Sequence, residues 1–271
     1  MRIEVRGRNA YAYTADHEPD RAKPSVVFLH GAGLDHSSWA LQSRYFGYHG
    51  WNVLAPDFPA HGRSAGPPLD AIQEMADWTL DLVDAAGLSE ISLAGHSMGS
   101  LIALECAARH PERVRRAALV ATAFPMKVSA PFLDAARDNA GAAHDMHTIW
   151  GHAPQTALRA DPNPGMSMYG DTLARLGRLA PGVLYADLKA CDEYAAGLAS
   201  AARVACPVLF LLGERDVMTP PRGTRQLRDA IQSARTVRLA GSGHSPMAEA
   251  PDQTLDALIS FLESRIPYRG L

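Results

Sequence analysis

Ile91-Ser92-Leu93-Ala94-Gly95-His96-Ser97-Met98-Gly99-Ser100 decides how this chain folds. The stretch opens as a short apolar run, the pattern of a strand buried on both faces. It then passes into Leu101-Ile102-Ala103-Leu104-Glu105-Cys106-Ala107-Ala108, a strong helix former. Between the two, Gly95 and Gly99 flank Ser97 in the form Gly-x-Ser-x-Gly. Missing β-carbons at those positions let strand and helix approach closely, and leave the serine on a sharp, strained turn with its hydroxyl pushed outward. The expectation is strand, tight turn, helix.

Working outward, a chain of 271 residues with 47% hydrophobic side chains is long enough for one sizeable domain plus an insertion. The formal net charge is −3, from 26 basic and 29 acidic side chains mixed along the chain. That balance leaves no electrostatic footprint for nucleic acid or an anionic membrane, so a small-molecule partner is expected. Cys106, Cys191 and Cys206 are odd in number and lack Cys-x-x-Cys spacing. They read as reduced core residues of a cytoplasmic protein, not as a disulfide frame or zinc site. Met1 to Gly7 alternates charged and apolar residues without the apolar core of a signal peptide, and no apolar run approaches membrane-spanning length.

Arg2 to Arg6 and Tyr11 to Thr14 alternate around Gly7-Arg8-Asn9 and predict an antiparallel hairpin at a sheet edge. Ser25 to Leu29 is a continuous apolar run, expected as an inner parallel strand, and ends in His30-Gly31-Ala32-Gly33. Taken by itself that loop is an ordinary strand-to-helix turn; beside a reactive serine, a backbone N–H such as that of Ala32 can be aimed at a developing negative charge. Helices are expected over 34–48, 69–86 and 255–266, and further strands at 52–57, 117–121, 207–212 and 236–239. This alternation is the signature of a mostly parallel, doubly wound α/β sheet covered by helices on both faces. From 124 to 203 the rhythm stops, and breaks at Pro154, 161–165 and 181–182 predict several short helices. The segment 124–203 reads as an inserted helical cap that splits a core made of 1–123 and 204–271.

Ser97, Asp216 and His244 each follow a predicted strand, so a doubly wound sheet brings all three to one crevice. A serine hydroxyl needs a base to take its proton, and an imidazole near pKa 6.5 suits that task. His244 is the candidate base, and Asp216 the carboxylate that fixes its tautomer and stabilises the imidazolium. Glu214 and Asp134 are weaker candidates for the acid. The histidines at 144, 147 and 152 lack the spacing of a zinc pair, and neither metal nor cofactor is expected.

On these residues the chain resembles the α/β-hydrolase superfamily, over nearly its whole length apart from the cap. The likeness rests on His30-Gly31-Ala32, Asp57 to Ser64, Gly95-His96-Ser97-Met98-Gly99, Gly213 to Asp216 and Gly243-His244. It implies a sheet of about eight strands and an oxyanion hole formed by the N–H groups of Ala32 and Met98. One departure is Ala60, where glycine is common, which bears on loop shape. A serine at the elbow argues against haloalkane dehalogenases and epoxide hydrolases, which carry aspartate there. His30, Gly31, Gly33 and His96, with Met126 and Met146 from the cap, are candidates to line a substrate pocket; His30, His61 and His96 also read as structural donors. Met166 and Met168 are further apolar cap residues. The resemblance implies a serine hydrolase acting on a carboxylic ester through an acyl-enzyme. Carbon–carbon hydrolases, thioesterases, perhydrolases and small-ligand receptors share the pattern. A carbon–carbon hydrolase would need a cation for its acidic substrate, for which Arg137, Arg159, Arg175 and Arg178 are available.

Overall fold

Apolar runs without alternation suit strands covered on both faces, and four such runs are buried at every residue: Ser25–Leu29, Asn52–Pro56, Ile91–His96 and Val208–Gly213. The computed structural model describes residues 1–138, 141–158 and 167–264. In chain order its strands are β1 (Arg2–Val5), β2 (Arg8–Tyr13), β3 (Ser25–Leu29), β4 (Asn52–Pro56), β5 (Ile91–His96), β6 (Val114–Val120), β7 (Val208–Gly213) and β8 (Ala234–Leu239). They form one eight-stranded sheet in the order β1-β2-β4-β3-β5-β6-β7-β8. The β1–β2 and β2–β4 pairings are antiparallel and the others parallel, the α/β architecture expected. The hairpin is tighter than its alternation suggested. Val5 pairs with Arg8 across a two-residue turn in which Arg6 and Gly7 both have positive φ, the geometry whose twist matches the flanking strands.

Helices α1 (Ala40–Tyr48), α2 (Ile72–Ala85) and α3 (Met98–Arg109) follow β3, β4 and β5. The helix expected over 34–48 is divided: Asp35 caps a 3₁₀ turn at His36–Trp39 by accepting from Ser37 N–H at 2.9 Å, and α1 begins after it. Between β6 and β7 lie α4 (Ala130–Arg137), α5 (Gly141–Trp150), α6 (Met168–Leu176), α7 (Val183–Glu193) and α8 (Gly197–Ala201), with no strand among the described residues. After β7 come α9 (Arg225–Ala230), α10 (Pro246–Glu249) and α11 (Pro251–Leu262). The last helix starts earlier than its periodicity suggested, because Pro251 provides a fixed φ at its first position. The Asp161–Gly165 break, Arg159 and Met166 lie outside the described residues.

Side-chain alternation divides the core in two. Val27, Leu29, Leu93 and Phe210 face α2, α3 and the inserted helices, whereas Val26, Phe28, Ala94 and Leu211 face Trp39, Phe46, Leu258 and Phe261. Helix α3 is buried from Met98 to Ala108, as a helix apolar all round must be. Its one acidic residue, Glu105, is 1% exposed, and its Oε1 accepts from Tyr194 Oη and Ser200 Oγ of the insertion. Among the described residues no helix is long and apolar enough to cross a membrane.

After β4 the loop at 57–64 closes on the Asp57 carboxylate, which accepts from His36 N–H at 2.8 Å and Arg63 N–H at 2.8 Å. Ala60 in this loop has φ 69°, a left-handed conformation in which its β-carbon costs about 1–2 kcal/mol. Glycine would remove that strain and add about 0.5–1 kcal/mol of unfolded-chain freedom. Ala60→Gly is therefore expected to stabilise the protein by about 0.5–1 kcal/mol, read as a rise in the urea midpoint at unchanged slope.

Candidate active site

At the end of β5 the backbone of Ser97 is forced to φ 52° and ψ −115°. A β-carbon at Gly95 would run into the Gly99 carbonyl, and one at Gly99 into the carbonyls of Leu29 and His30. No side chain fits where strand and helix cross, so the strain falls on the residue between them. It is held by Ser97 N–H donating to Val120 O at 2.9 Å, and by Ser97 O accepting from Ser100 N–H at 2.8 Å and Ser100 Oγ at 2.5 Å. Met98 opens α3, so its N–H lies in the first turn, where no intrahelical acceptor is available.

Two strands away, β7 ends in Gly213 and β8 runs on to His244. A β-carbon at Gly213 would strike the Gly243 carbonyl, and this close approach brings the two loops together. Arg215 N–H seals it by donating to Ser242 O at 2.8 Å. His244 Nδ1 lies 2.9 Å from Asp216 Oδ2 and 3.1 Å from Thr219 Oγ1. Asp216 also accepts from Met218 N–H at 2.9 Å, Thr219 N–H at 2.8 Å and Thr219 Oγ1 at 2.7 Å. A carboxylate only accepts, so Nδ1 is the ring nitrogen that carries a proton toward Asp216. Burial would lift the Asp216 carboxyl, but the His244 charge and hydrogen bond, with the Thr219 donors, bring it below the usual carboxylate range. Glu249 anchors the His244 loop: Oε1 accepts from Gly243 N–H at 3.0 Å and Ser245 N–H at 3.1 Å, while Oε2 accepts from Ala153 N–H of the insertion at 2.8 Å. Glu214 is exposed, and Asp134 sits on α4 paired with Arg137, so the carboxylate beside His244 is that of Asp216.

Ser97, His244 and Thr219 line one cavity of about 380 Å³ with Ala32, His96, Met126 and Met168. Most of the remaining wall is apolar, including Leu34, Leu41, Phe132, Trp150 and Leu188. Four of the expected pocket residues do not line it. His30 is fully buried behind the wall, where Nε2 accepts from Phe58 N–H at 3.1 Å and Nδ1–H donates to Gly31 O at 2.9 Å. Gly31 packs against His96 and Ser97 as a spacer, and Gly33 lies beneath Leu176 and Leu184 of the insertion. Met146 packs into the core cluster instead of facing the cavity. His96 does line the cavity, but it also props the His244 loop, donating from Nε2 to His244 O at 2.7 Å. His147 and His152 line it too, a placement that local spacing did not signal.

The cavity's arginine is Arg175, whose charge is already engaged: it pairs with Asp171 and donates from Nε to Ser37 Oγ at 2.9 Å. Arg137 lies over the Tyr185 ring and Arg178 is exposed, 3.9 Å from Asp35. Asp35, His36 and Asp57 bring three possible metal-ligand atoms within 4.8 Å of one another. Their oxygens are committed to N–H groups, those of Asp57 to His36 and Arg63 and that of Asp35 to Ser37.

In and behind the cavity wall three histidines are held neutral. Burial, followed by a neighbouring histidine's charge, pushes His30 to about 4 and His96 to about 3. His147 is pushed to about 4, again chiefly by burial. His61 behaves oppositely. Burial would lower it, but the charge and hydrogen bond of Asp187, 2.8 Å from Nε2, together with the Pro59 carbonyl at Nδ1, raise it. Both ring nitrogens thus face acceptors, and the ring is an imidazolium. The three lowered groups take up protons only on unfolding between pH 6.5 and about 4. In that window stability falls as pH falls, by roughly 1.4 kcal/mol per pH unit for each group. His61 contributes stability that is complete below 6.5 and is lost only above it, so it does not offset the slope. Urea midpoints are therefore expected to drop steeply between pH 7 and pH 5, with proton uptake on unfolding.

The family model described as "Alpha/beta hydrolase family" matches residues 26–257. A pimeloyl-[acyl-carrier protein] methyl ester esterase of Chromobacterium violaceum is 32% identical over 89% of this chain and 95% of its own length. An (E)-2-((N-methylformamido)methylene)succinate hydrolase of Acinetobacter baylyi is 36% identical, over 35% of this chain and 36% of its own length. Among solved structures, the enol-lactonase of Burkholderia xenovorans LB400 superposes with a TM-score of 0.83 at 23% identity, covering 97% of this chain and all of that one. With strand order, elbow and sequence in agreement, the chain belongs to the alpha/beta hydrolase family and is a hydrolytic enzyme.

Proposed function

We propose that the protein hydrolyses a carboxylic ester of a small, largely apolar substrate through an acyl-enzyme on Ser97, with the insertion 124–203 serving as the cap over the site. The observation that carries this reading is the single cavity that Ser97 and His244 share, with Asp216 2.9 Å behind the imidazole. His244 Nε2 takes the Ser97 proton as Oγ attacks the carbonyl carbon. The resulting oxyanion lies against the N–H groups of Ala32 and Met98. Collapse expels the alcohol, which takes its proton from His244. Water, giving a proton to Nε2, then attacks the acyl carbon; the second tetrahedral species releases the acid and returns the proton to Ser97. The apolar wall supports an apolar acyl or alcohol group, and the engagement of the lining cations, Arg175 with Asp171 and Lys127 with Asp192, weighs against a carbon–carbon hydrolase that needs a free cation. Similarity to an ester-cleaving relative supports the same choice. A cytoplasmic setting fits the free, buried thiols of Cys106, Cys191 and Cys206.

Purified protein is expected to turn over short p-nitrophenyl esters in preference to dienone acids, and to be labelled by a fluorophosphonate probe. Ser97→Ala is expected to lose at least about 10³-fold in kcat with an unchanged urea midpoint. Wild-type turnover in Ser97→Ala, or a native protein that resists the probe, overturns the reading.

A further inference from the structure

The peptide that follows the proposed oxyanion donor is gripped from both ends by the insertion. The Ala32 carbonyl accepts from His147 Nε2–H at 3.0 Å, and the N–H of the same peptide unit, on Gly33, donates to Asp187 Oδ2 at 2.8 Å. His147 stands on α5 and Asp187 on α7, 115 and 154 residues away from their partners. Gly33 itself has φ 68°, and a β-carbon there would meet Leu176 and Leu184, so the insertion rests directly on this backbone. The preceding peptide, which carries the Ala32 N–H, is held by its carbonyl: Gly31 O accepts from His30 Nδ1–H at 2.9 Å and Leu34 N–H at 3.1 Å. In a trans peptide C=O and N–H point in opposite directions, so holding one aims the other.

From this arrangement we infer that His147 and Asp187 are positioning residues that aim the Ala32 N–H at the oxyanion, so that the hole is complete only when the insertion is seated on the loop. This rests on the acyl-enzyme reading above. Two adjacent peptides share the Ala32 α-carbon, so releasing the Ala32–Gly33 unit frees ψ at Ala32 and slackens the turn that presents its N–H. A donor turned away loses strength steeply with angle. The grip is also matched in chemistry. His147 is neutral, so its proton on Nε2 is fixed by the Ala32 carbonyl. Asp187, fully buried, is balanced by the His61 imidazolium and not by solvent. Asp187 does not line the cavity, so it acts on the reaction only through the backbone it holds.

The test uses the full chain and three variants. His147→Leu removes the donor, His147→Gln supplies an amide N–H near the position of Nε2, and Asp187→Ala removes the acceptor. Each is assayed with a p-nitrophenyl ester, with an aryl trifluoromethyl ketone, and with the matching carbinol. Ser97 Oγ adds to the ketone carbonyl to give a hemiketal whose oxyanion occupies the hole, whereas the carbinol cannot be attacked. His147→Leu and Asp187→Ala are expected to lose about 10- to 100-fold in kcat and in ketone affinity, with KM and carbinol affinity within about twofold of the native protein in Asp187→Ala and changed far less than ketone affinity in His147→Leu, whose side chain also lines the cavity, and His147→Gln to recover most of the loss. If Asp187→Ala does not fold, the two His147 variants decide. Unchanged kcat and ketone affinity in His147→Leu overturn the inference, as does a loss shared equally by ketone and carbinol, or one that His147→Gln fails to restore. Ser97→Ala, run alongside, separates the two levels: if it keeps turnover the acyl-enzyme reading fails, whereas if it is dead while the His147 variants are not, only the positioning role fails.

Discussion

The crossing of β5 and α3 at Gly95 and Gly99 is the contact on which the remaining geometry depends. It is closer than any side chain permits, and the intervening residue therefore takes a backbone conformation that ordinary residues avoid. That cost is met by the sheet. Strand β5 lies between β3 and β6, so Val120 of β6 accepts from Ser97 N–H on one side, and the loop ending β3 arrives on the other. Strands β7 and β8 follow in the same parallel order and end at the same edge, which brings the Asp216–His244 pair to the cavity that Ser97 lines without any long-range sequence signal.

This division explains what was legible in the chain. Buried strands, helix stops and Gly-x-Ser-x-Gly are local patterns, and they announced the sheet and the positions of Ser97, Asp216 and His244. The partners that hold those groups were not legible, because nothing near them in sequence marks them. Thr219 bridges Asp216 and His244, and Glu249 ties the His244 loop to Ala153. Asp187 reaches Gly33 across 154 residues. Misplacement of His30, Gly31 and Gly33 as pocket lining has a related cause. A glycine-rich loop reads the same whether its outer face meets solvent or lies under leucines, and only the packing of α6 and α7 separates the cases. The tight hairpin at Arg6 and Gly7 was blurred for a different reason, since arginine is a poor signal for a positive φ.

Histidine carries much of the internal polar structure. His30, His96 and His147 are neutral donors to backbone carbonyls, each fixing a loop that borders the site, whereas His61 is a buried cation matched to one carboxylate. The same side chain takes opposite charge states within a few ångströms because the acceptors around each ring differ. His244 differs in its partner, a side-chain carboxylate shared with Thr219. Its Nδ1 is committed to Asp216, and the ring lines the cavity that Ser97 also lines.

Glu105 gives the insertion a fixed margin. This carboxylate sits midway along the helix that starts at Met98, and its hydrogen-bond partners Tyr194 and Ser200 bracket the last stretch before the chain returns to the sheet. Lifting that stretch would leave a buried carboxyl group without its hydrogen-bond partners, which is costlier than parting leucine surfaces. The end of the insertion is thereby bolted to the same rod that carries the Ser97 hydroxyl at its tip.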